Sequence, residues 1–222
     1  GIGRVIFDLF SKKNKNTYIL CNTNLNLNKS IQVDLSDEQS IQLMLKKKFF
    51  KKIKIKNLIF CQRYRGDITR AHFAVSFFSV VNLIENLKTK MVNNSSVIII
   101  NSNASNFITD DQPLGYHSSK ASLINLVKYY AVNLGSKKIR FNSILPGTTI
   151  KPANAKFFKK SKKYKIITKK IIPLKRLGTS KDVADLAEFL CSDKASFITG
   201  QSIYLDGGLS LLGQETVARR LI

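Results

Sequence analysis

Val97-Ile98-Ile99-Ile100-Asn101-Ser102, followed fourteen residues beyond its serine by Tyr116-His117-Ser118-Ser119-Lys120-Ala121-Ser122-Leu123, is the stretch on which the reading of this chain turns. Four consecutive β-branched aliphatic residues with no polar alternation describe a strand covered on both faces, as in a parallel sheet. Downstream, Leu123, Leu126, Val127 and Tyr130 recur at helical spacing, so a helix is predicted from the Tyr116 region to about Leu134. Ser102 stands where the strand ends. In open parallel sheets, ligands bind beyond the carboxyl ends of the strands.

Strand and helix patterns alternate on both sides of this unit. Strands are predicted at Tyr18–Cys21, Ile31–Val33, Lys56–Phe60, Ile139–Ile144 and Ser202–Leu205. Helices are predicted from Asp37 to about Phe49 with Ser36 as N-cap, from about Ile68 to Lys90, and from Lys181 to Cys191. The pattern predicts an α/β fold, a doubly wound parallel sheet of Rossmann type. No linker or repeat divides the 222 residues, 44% of them hydrophobic, so one domain spanning 1–222 is expected. No apolar run is long enough to cross a bilayer and no signal-peptide pattern heads the sequence. Cys21, Cys61 and Cys191 are scattered singly, and His72 and His117 add no ligand cluster, which fits neither a disulfide framework nor a metal site. A reducing cytoplasm is the expected compartment.

Tyr116 and Lys120 are four residues apart, one turn of helix, so the phenol and the ammonium share a face. A phenol ionises near pH 10, and a fixed neighbouring cation favours its phenolate, which equips such a tyrosine to exchange a proton with a substrate oxygen. The Ser102 hydroxyl could donate to that same oxygen. Ser105, eleven residues before the tyrosine, is a second candidate for that role. His117 and Asp110 read as surface and loop residues.

Further motifs follow in order: Arg140-Phe141-Asn142-Ser143-Ile144-Leu145-Pro146-Gly147, then Pro173-Leu174-Lys175-Arg176-Leu177-Gly178, then Ser192 to Gly200, then Asp206-Gly207-Gly208. With Ser102, Tyr116 and Lys120, this series resembles the short-chain dehydrogenase/reductase family, of the kind that includes the 3-oxoacyl-carrier-protein reductases. The resemblance implies a nicotinamide cofactor, NAD(H) or NADP(H), and interconversion of a ketone with a secondary alcohol. It assigns proton transfer to Tyr116, orientation of the oxygen to Ser102, and both tuning of the phenol and a bond to the cofactor ribose to Lys120. Gly1-Ile2-Gly3 resembles the end of the family's glycine-rich turn at the cofactor pyrophosphate, with the leading glycine and the first strand missing. A gap in the sheet, low stability and weak cofactor binding are therefore expected. By the same resemblance Asp34 accepts from the adenine amino group, unless it is only a turn residue, and Pro146, Gly147, Thr148 and Thr149 face the nicotinamide. Asn22-Thr23-Asn24, where cofactor choice is usually set, carries neither a carboxylate nor a cation.

Two departures stand out. The family usually carries Asn-Asn-Ala-Gly after its fourth strand; this chain has Cys61-Gln62-Arg63-Tyr64. No Asn lies between Ile68 and Val81, where the family places a residue of its proton relay. A catalytically degenerate cofactor-binding or scaffold protein of the same fold is the alternative these departures support.

The net charge of +23 and a pI near 10.1 come largely from lysine blocks at 46–56 and 156–170. The Lys, Asn and Ile bias of the chain accounts for much of this, and charge runs are usually solvated surface, so nucleic acid is not the expected partner. The second block falls where the family places its substrate lid, which suits an anionic substrate. Residues 209–215 loosely resemble reductases of surface-sugar pathways, as the rest resembles those of acyl chains. Relatives assemble as homo-dimers or homo-tetramers through their two long helices, and the apolar positions 123, 126, 127 and 130 would serve either core or subunit contact.

Overall fold

The computed structural model describes every residue except Asn24 and Asn26. In chain order it runs α1 (Ile2–Lys13), β1 (Ile19–Cys21), β2 (Ser30–Gln32), α2 (Glu38–Leu45), α3 (Lys48–Lys52), β3 (Ile55–Phe60), α4 (Thr69–Phe73), α5 (Ser79–Leu87), β4 (Met91–Ile100), α6 (Leu114–Gly135) and β5 (Arg140–Pro146). There follow β6 (Thr149–Ile150), α7 (Ala155–Lys160), α8 (Lys162–Ile166), β7 (Gly178–Thr179), α9 (Ser180–Cys191), β8 (Ser202–Leu205) and α10 (Gln214–Leu221). The principal sheet is parallel throughout, in the order β3-β4-β5-β8.

The apolar run of β4 is explained by its two covered faces. Val97 and Ile99 pack into a core with Leu83 and Ile84 of α5 and Leu123 and Leu126 of α6, whereas Ile98 and Ile100 pack on the other face with Ile6 of α1 and Val183, Ala187 and Leu190 of α9. Each such side chain removed from water contributes about 1.5–3 kcal/mol, so the helices are clamped onto the strand that carries Ser102 at its exit. Between Tyr18 and Leu205 the predicted strands all form, within a residue or two of their expected ends, except that β4 begins earlier, at Met91.

The gap expected in the sheet is there: β1 and β2 pair only with each other, and among the described residues no strand lies between β1 and β3. Other expectations need correction. The helix expected from Asp37 to Phe49 breaks at Lys46-Lys47 into α2 and α3, and its N-cap is Asp37, not Ser36. The Asp37 carboxylate takes the N–H groups of Gln39 and Ser40, while the Ser36 hydroxyl is spent on Asp34. The helix expected over 68–90 is interrupted by a wide π turn at Ala74–Phe78, and the variable stretch after Pro146 contains β6, α7, α8, a second π turn at Ile167–Ile171 and β7. Among the described residues no helix is long and apolar enough to cross a membrane.

Gly115 sets how closely α6 can approach α4. A Cβ there would lie 2.6 Å from the Thr69 Cα and 2.9 Å from the His72 ring. Gly115→Ala is expected to cost about 2 kcal/mol through overpacking, lowering Tm by about 4–8 °C for a chain of this size. Gly135→Ala, whose added carbon meets nothing, should hold or slightly raise Tm in the same calorimetric scan.

Candidate active site

The site assembles where the parallel strands end. Ser102 follows β4, Cys61 follows β3, and Pro146 closes β5 with Gly147 beyond it. Helix α6 is bolted to the end of β4 by a reciprocal pair of bonds. The Lys120 Nζ donates to the Ile100 carbonyl at 3.3 Å, and the Asn101 Nδ2 donates to the Lys120 carbonyl at 3.1 Å. Both bonds are buried, and they hold the helix that presents Tyr116 against the turn that presents Ser102. Tyr116 is 6% exposed and Lys120 3%, so the two lie on the inward face of α6, as their spacing predicts.

The Ser102 hydroxyl accepts the Ala104 N–H at 3.2 Å and has only a long contact, 3.5 Å, to the Asn103 side chain for its own proton. The Ser105 hydroxyl proton is committed to the Ser102 carbonyl at 2.7 Å. Ser102 therefore keeps a proton to offer, and Ser105 serves the turn. His117 is not a surface residue: it is buried, its Nδ1–H donates to the Ala104 carbonyl at 2.9 Å, and its Nε2 accepts the Thr109 N–H at 3.4 Å, which ties the loop after Ser102 down to α6.

Burial pushes the Lys120 ammonium from 10.5 down to about 8, helped by the positive charge of Arg63 and opposed by Cys61. Cys61 is half-buried, and desolvation of its thiol pushes that group up to about 12. Among the described residues only one of the three Lys120 protons meets a protein acceptor, which leaves donors for a ligand.

The residues expected to hold a dinucleotide are arranged compatibly with one. Gly1 caps α1, and Ile2 and Gly3 form its first turn, which has no side-chain cap and no acidic residue, so its N–H groups remain available to an anion. A Cβ on Gly3 would stand 3.2 Å from the Cys61 Cβ, so glycine lets α1 start close beside the end of β3. Gly147 is required by the Asp206 turn, whose Cβ would be 2.8 Å from an added carbon, and Pro146 is buried beneath it. Thr149 donates its hydroxyl to the Gly147 carbonyl at 3.0 Å, and the Thr148 carbonyl accepts the Gly178 N–H at 3.2 Å. Asp34 behaves at least partly as a turn residue: one oxygen accepts the Ser36 N–H at 2.8 Å and its hydroxyl at 2.6 Å, bonds that lower its pKa. Asn24 lies outside the described residues. Among those described, no group of three metal-ligating side chains occurs.

The Cys61-Gln62-Arg63-Tyr64 segment carries the features that sequence reasoning left open. Tyr64 folds back over Gly66 and meets the His72 ring edge-on at 5.0 Å. Arg63 turns the other way: its guanidinium carbon lies 4.6 Å from the centroid of the Tyr116 ring, and its Nη2 donates to the Gln112 Oε1 at 2.6 Å. His72 is buried, donates Nε2–H to the Gly66 carbonyl at 2.7 Å, and stands edge-on to Tyr116 at 5.9 Å. Its Nδ1, like the Asn101 Oδ1, is a buried acceptor without a protein donor, the kind of atom that ordered water satisfies. Only the departure from small residues at 63 and 64 signalled any of this in the sequence.

The family model described as "Enoyl-(Acyl carrier protein) reductase" matches residues 4–210. Glucose 1-dehydrogenase of Gluconobacter oxydans is 37% identical over 116 residues, 52% of this chain and 43% of that protein. The 3-oxoacyl-[acyl-carrier-protein] reductase of Thermotoga maritima is 34% identical over 137 residues, 62% of this chain and 52% of that protein. The chain thus spans about half the length of these curated relatives. Among solved structures, a 4-hydroxyisoleucine dehydrogenase mutant complexed with NADH and succinate superposes with a TM-score of 0.86 at 25% identity, covering 96% of each chain. A short-chain dehydrogenase family protein from Francisella tularensis gives 0.81 at 23% identity, covering 96% of this chain and 95% of its own, a likeness of fold. With the parallel sheet, the strand-end site and a family match over nearly its whole length, this chain belongs to the short-chain dehydrogenase/reductase family of oxidoreductases.

Proposed function

We propose that residues 1–222 form one dinucleotide-binding domain of an NAD(P)(H)-dependent oxidoreductase that interconverts a ketone and a secondary alcohol. The observation that carries this reading is the buried Tyr116 and Lys120, bolted through Ile100 and Asn101 beside the free hydroxyl of Ser102. Gly1, Ile2, Gly3, Asp34, Lys120, Pro146, Gly147, Thr148 and Thr149 would hold the cofactor, whose nicotinamide supplies or accepts the hydride when bound. The protein's own part is the proton and the orientation. In reduction, the Tyr116 hydroxyl gives its proton to the carbonyl oxygen as negative charge develops there, leaving the alcohol and a phenolate. The Ser102 hydroxyl donates a hydrogen bond to the same oxygen, a contribution of about 3 kcal/mol in comparable sites. The Lys120 ammonium supports the phenolate electrostatically and has donors left for ribose hydroxyls. Oxidation runs the same transfers backwards.

The relatives include a glucose dehydrogenase and an acyl-carrier-protein reductase, which supports sugar or acyl-chain substrates, and the NADH and succinate held by the 4-hydroxyisoleucine dehydrogenase support a dinucleotide together with a small anionic substrate. A homo-dimer or homo-tetramer through α6 and the π turn that leads into α5 is favoured by the outward apolar side chains of Phe78, Tyr129 and Val132, which are 60%, 62% and 81% exposed. The compartment proposed is the cytoplasm. The scaffold alternative keeps one supporting observation, the Arg63 side chain standing over Tyr116; a protein that binds NAD(P)(H) yet turns over no carbonyl in a broad panel would be that scaffold.

Tyr116→Phe should reduce turnover by at least about 1000-fold while cofactor affinity, read by protein fluorescence, stays within about threefold. Retention of turnover would remove the proton-transfer assignment. Lys120 makes a separate prediction about stability. Its folded pKa, about 8, lies below its ordinary 10.5, so between those values the unfolded chain binds more protons and stability rises with pH. At pH 7 the buried ammonium opposes folding throughout. Lys120→Met should therefore lose activity yet raise Tm by several degrees at pH 7, on the scale of about 2–4 °C per kcal/mol, with the advantage shrinking as the pH rises from about 8 toward 10.5.

A further inference from the structure

Three charged or aromatic groups stand around the Tyr116 ring, and only one of them belongs to an exposed residue. The His72 ring meets it edge-on with centroids 5.9 Å apart, and the His117 ring does so at 6.2 Å. Both imidazoles are buried and pinned to main-chain carbonyls, His72 to Gly66 and His117 to Ala104. The third group is the Arg63 guanidinium, whose carbon lies 4.6 Å from the ring centroid although the residue is exposed. The Arg63 backbone lies between the end of β3 at Phe60 and Tyr64, which is seated against Gly66 and His72. Its side chain is therefore the part of this surround that can swing.

What keeps the guanidinium over the ring is weak and reversible. Arg63 enters none of the ion pairs among the described residues. Its Nη2 donates to the Gln112 Oε1 at 2.6 Å, a neutral partner on the loop that leads into α6. A guanidinium fixed as part of a structure is commonly met by a carboxylate in a two-bonded fork. An exposed cation–π contact and one bond to a neutral amide each shift an equilibrium by no more than about tenfold. The bridge joins the exit of β3 to the entry of α6, 49 residues apart in the chain, and so crosses the strand-end crevice where Tyr116 would meet a carbonyl.

We propose that Arg63 is a latch: paired with Gln112 it covers Tyr116, and it must swing off the ring before a carbonyl oxygen reaches the phenol. The inference rests on the reading of Tyr116 as the proton donor and adds a gating step to it. The closed latch competes with substrate and not with chemistry, so only the open fraction binds, and apparent affinity falls by that fraction. Its effect therefore belongs in KM rather than in kcat.

Gln112 offers variants of opposite sign that leave Arg63 in place. Gln112→Leu removes the acceptor and should open the latch about fivefold. Gln112→Glu supplies a carboxylate and should close it by about as much, an effect that concentrated salt removes. Nitration by tetranitromethane, located by mass spectrometry, reads the latch without any turnover. Relative to the exposed Tyr129, Tyr116 should react about fivefold faster in Gln112→Leu and in Arg63→Ala, and about fivefold more slowly in Gln112→Glu. Kinetics at saturating cofactor use glucose for oxidation and methyl acetoacetate for reduction. KM should fall about fivefold in Gln112→Leu and Arg63→Ala and rise about fivefold in Gln112→Glu, with kcat within about twofold throughout. Tyr116 reactivity that ignores all three substitutions overturns the latch, and so does a Gln112→Glu variant that behaves as Gln112→Leu does. A higher KM in Arg63→Ala makes the arginine a substrate contact and overturns it as well. If the nitration order holds while neither probe nor a broad carbonyl panel is turned over, the latch stands and the oxidoreductase reading fails. Thermal scans confirm that each variant is folded, and Arg63→Gln replaces Arg63→Ala if the latter unfolds.

Discussion

An ammonium buried to 3% exposure, tied to the carbonyl of Ile100 while its own main-chain carbonyl takes the Asn101 amide, is what the site is built around. Strand and helix hold one another by side chains exchanged in both directions, so neither the exit of β4 nor the first turns of α6 can shift alone. The position of Tyr116 relative to Ser102 follows from this clasp, and so does a cost: the lysine stays charged at neutral pH in a place that disfavours charge. Sites that trade stability for a prepared electrostatic environment are common in enzymes, and here both sides of the trade belong to one residue.

Much of this was legible from residue types and spacing. The aliphatic run of 97–100 announced a strand covered on both faces because each face contacts a different pair of helices. Tyr116 and Lys120 could be placed together because four residues make one helical turn. Position in the chain already favours Ser102 over Ser105, and hydroxyl geometry adds the physical reason, since the Ser105 proton is spent on the main chain. The π turn at Ala74–Phe78 was beyond reach of periodicity, since one extra residue per turn leaves an apolar pattern nearly unchanged over so short a span. His117 was misjudged because a polar residue beside a catalytic candidate gives no hint that both ring nitrogens are taken by a neighbouring loop.

The charge of the chain divides into parts with different surroundings. Most lysines of the block at 156–170 stand in solvent, where water and salt screen them and where a biased composition is cheap to accommodate. Lys151, just past β6, is half-buried and its pKa is lowered by that burial, whereas Arg63 is exposed but held over the Tyr116 ring. A net charge read from the sequence weighs all of these equally. Their influence on a ligand does not.

The charge around β3 has a bearing on how the chain meets extended segments of other chains, which strand edges recruit as the first step of aggregation. Among the described residues β3 has a paired neighbour only on its β4 side. Lys54 and Lys56 flank and interrupt the apolar β3, and both are exposed. A second strand laid along that edge would have to bury or crowd those ammonium groups. The first lysine block, which reads as a by-product of composition, would thus also oppose such pairing, and concentrated salt, by muting its repulsion, would weaken that opposition.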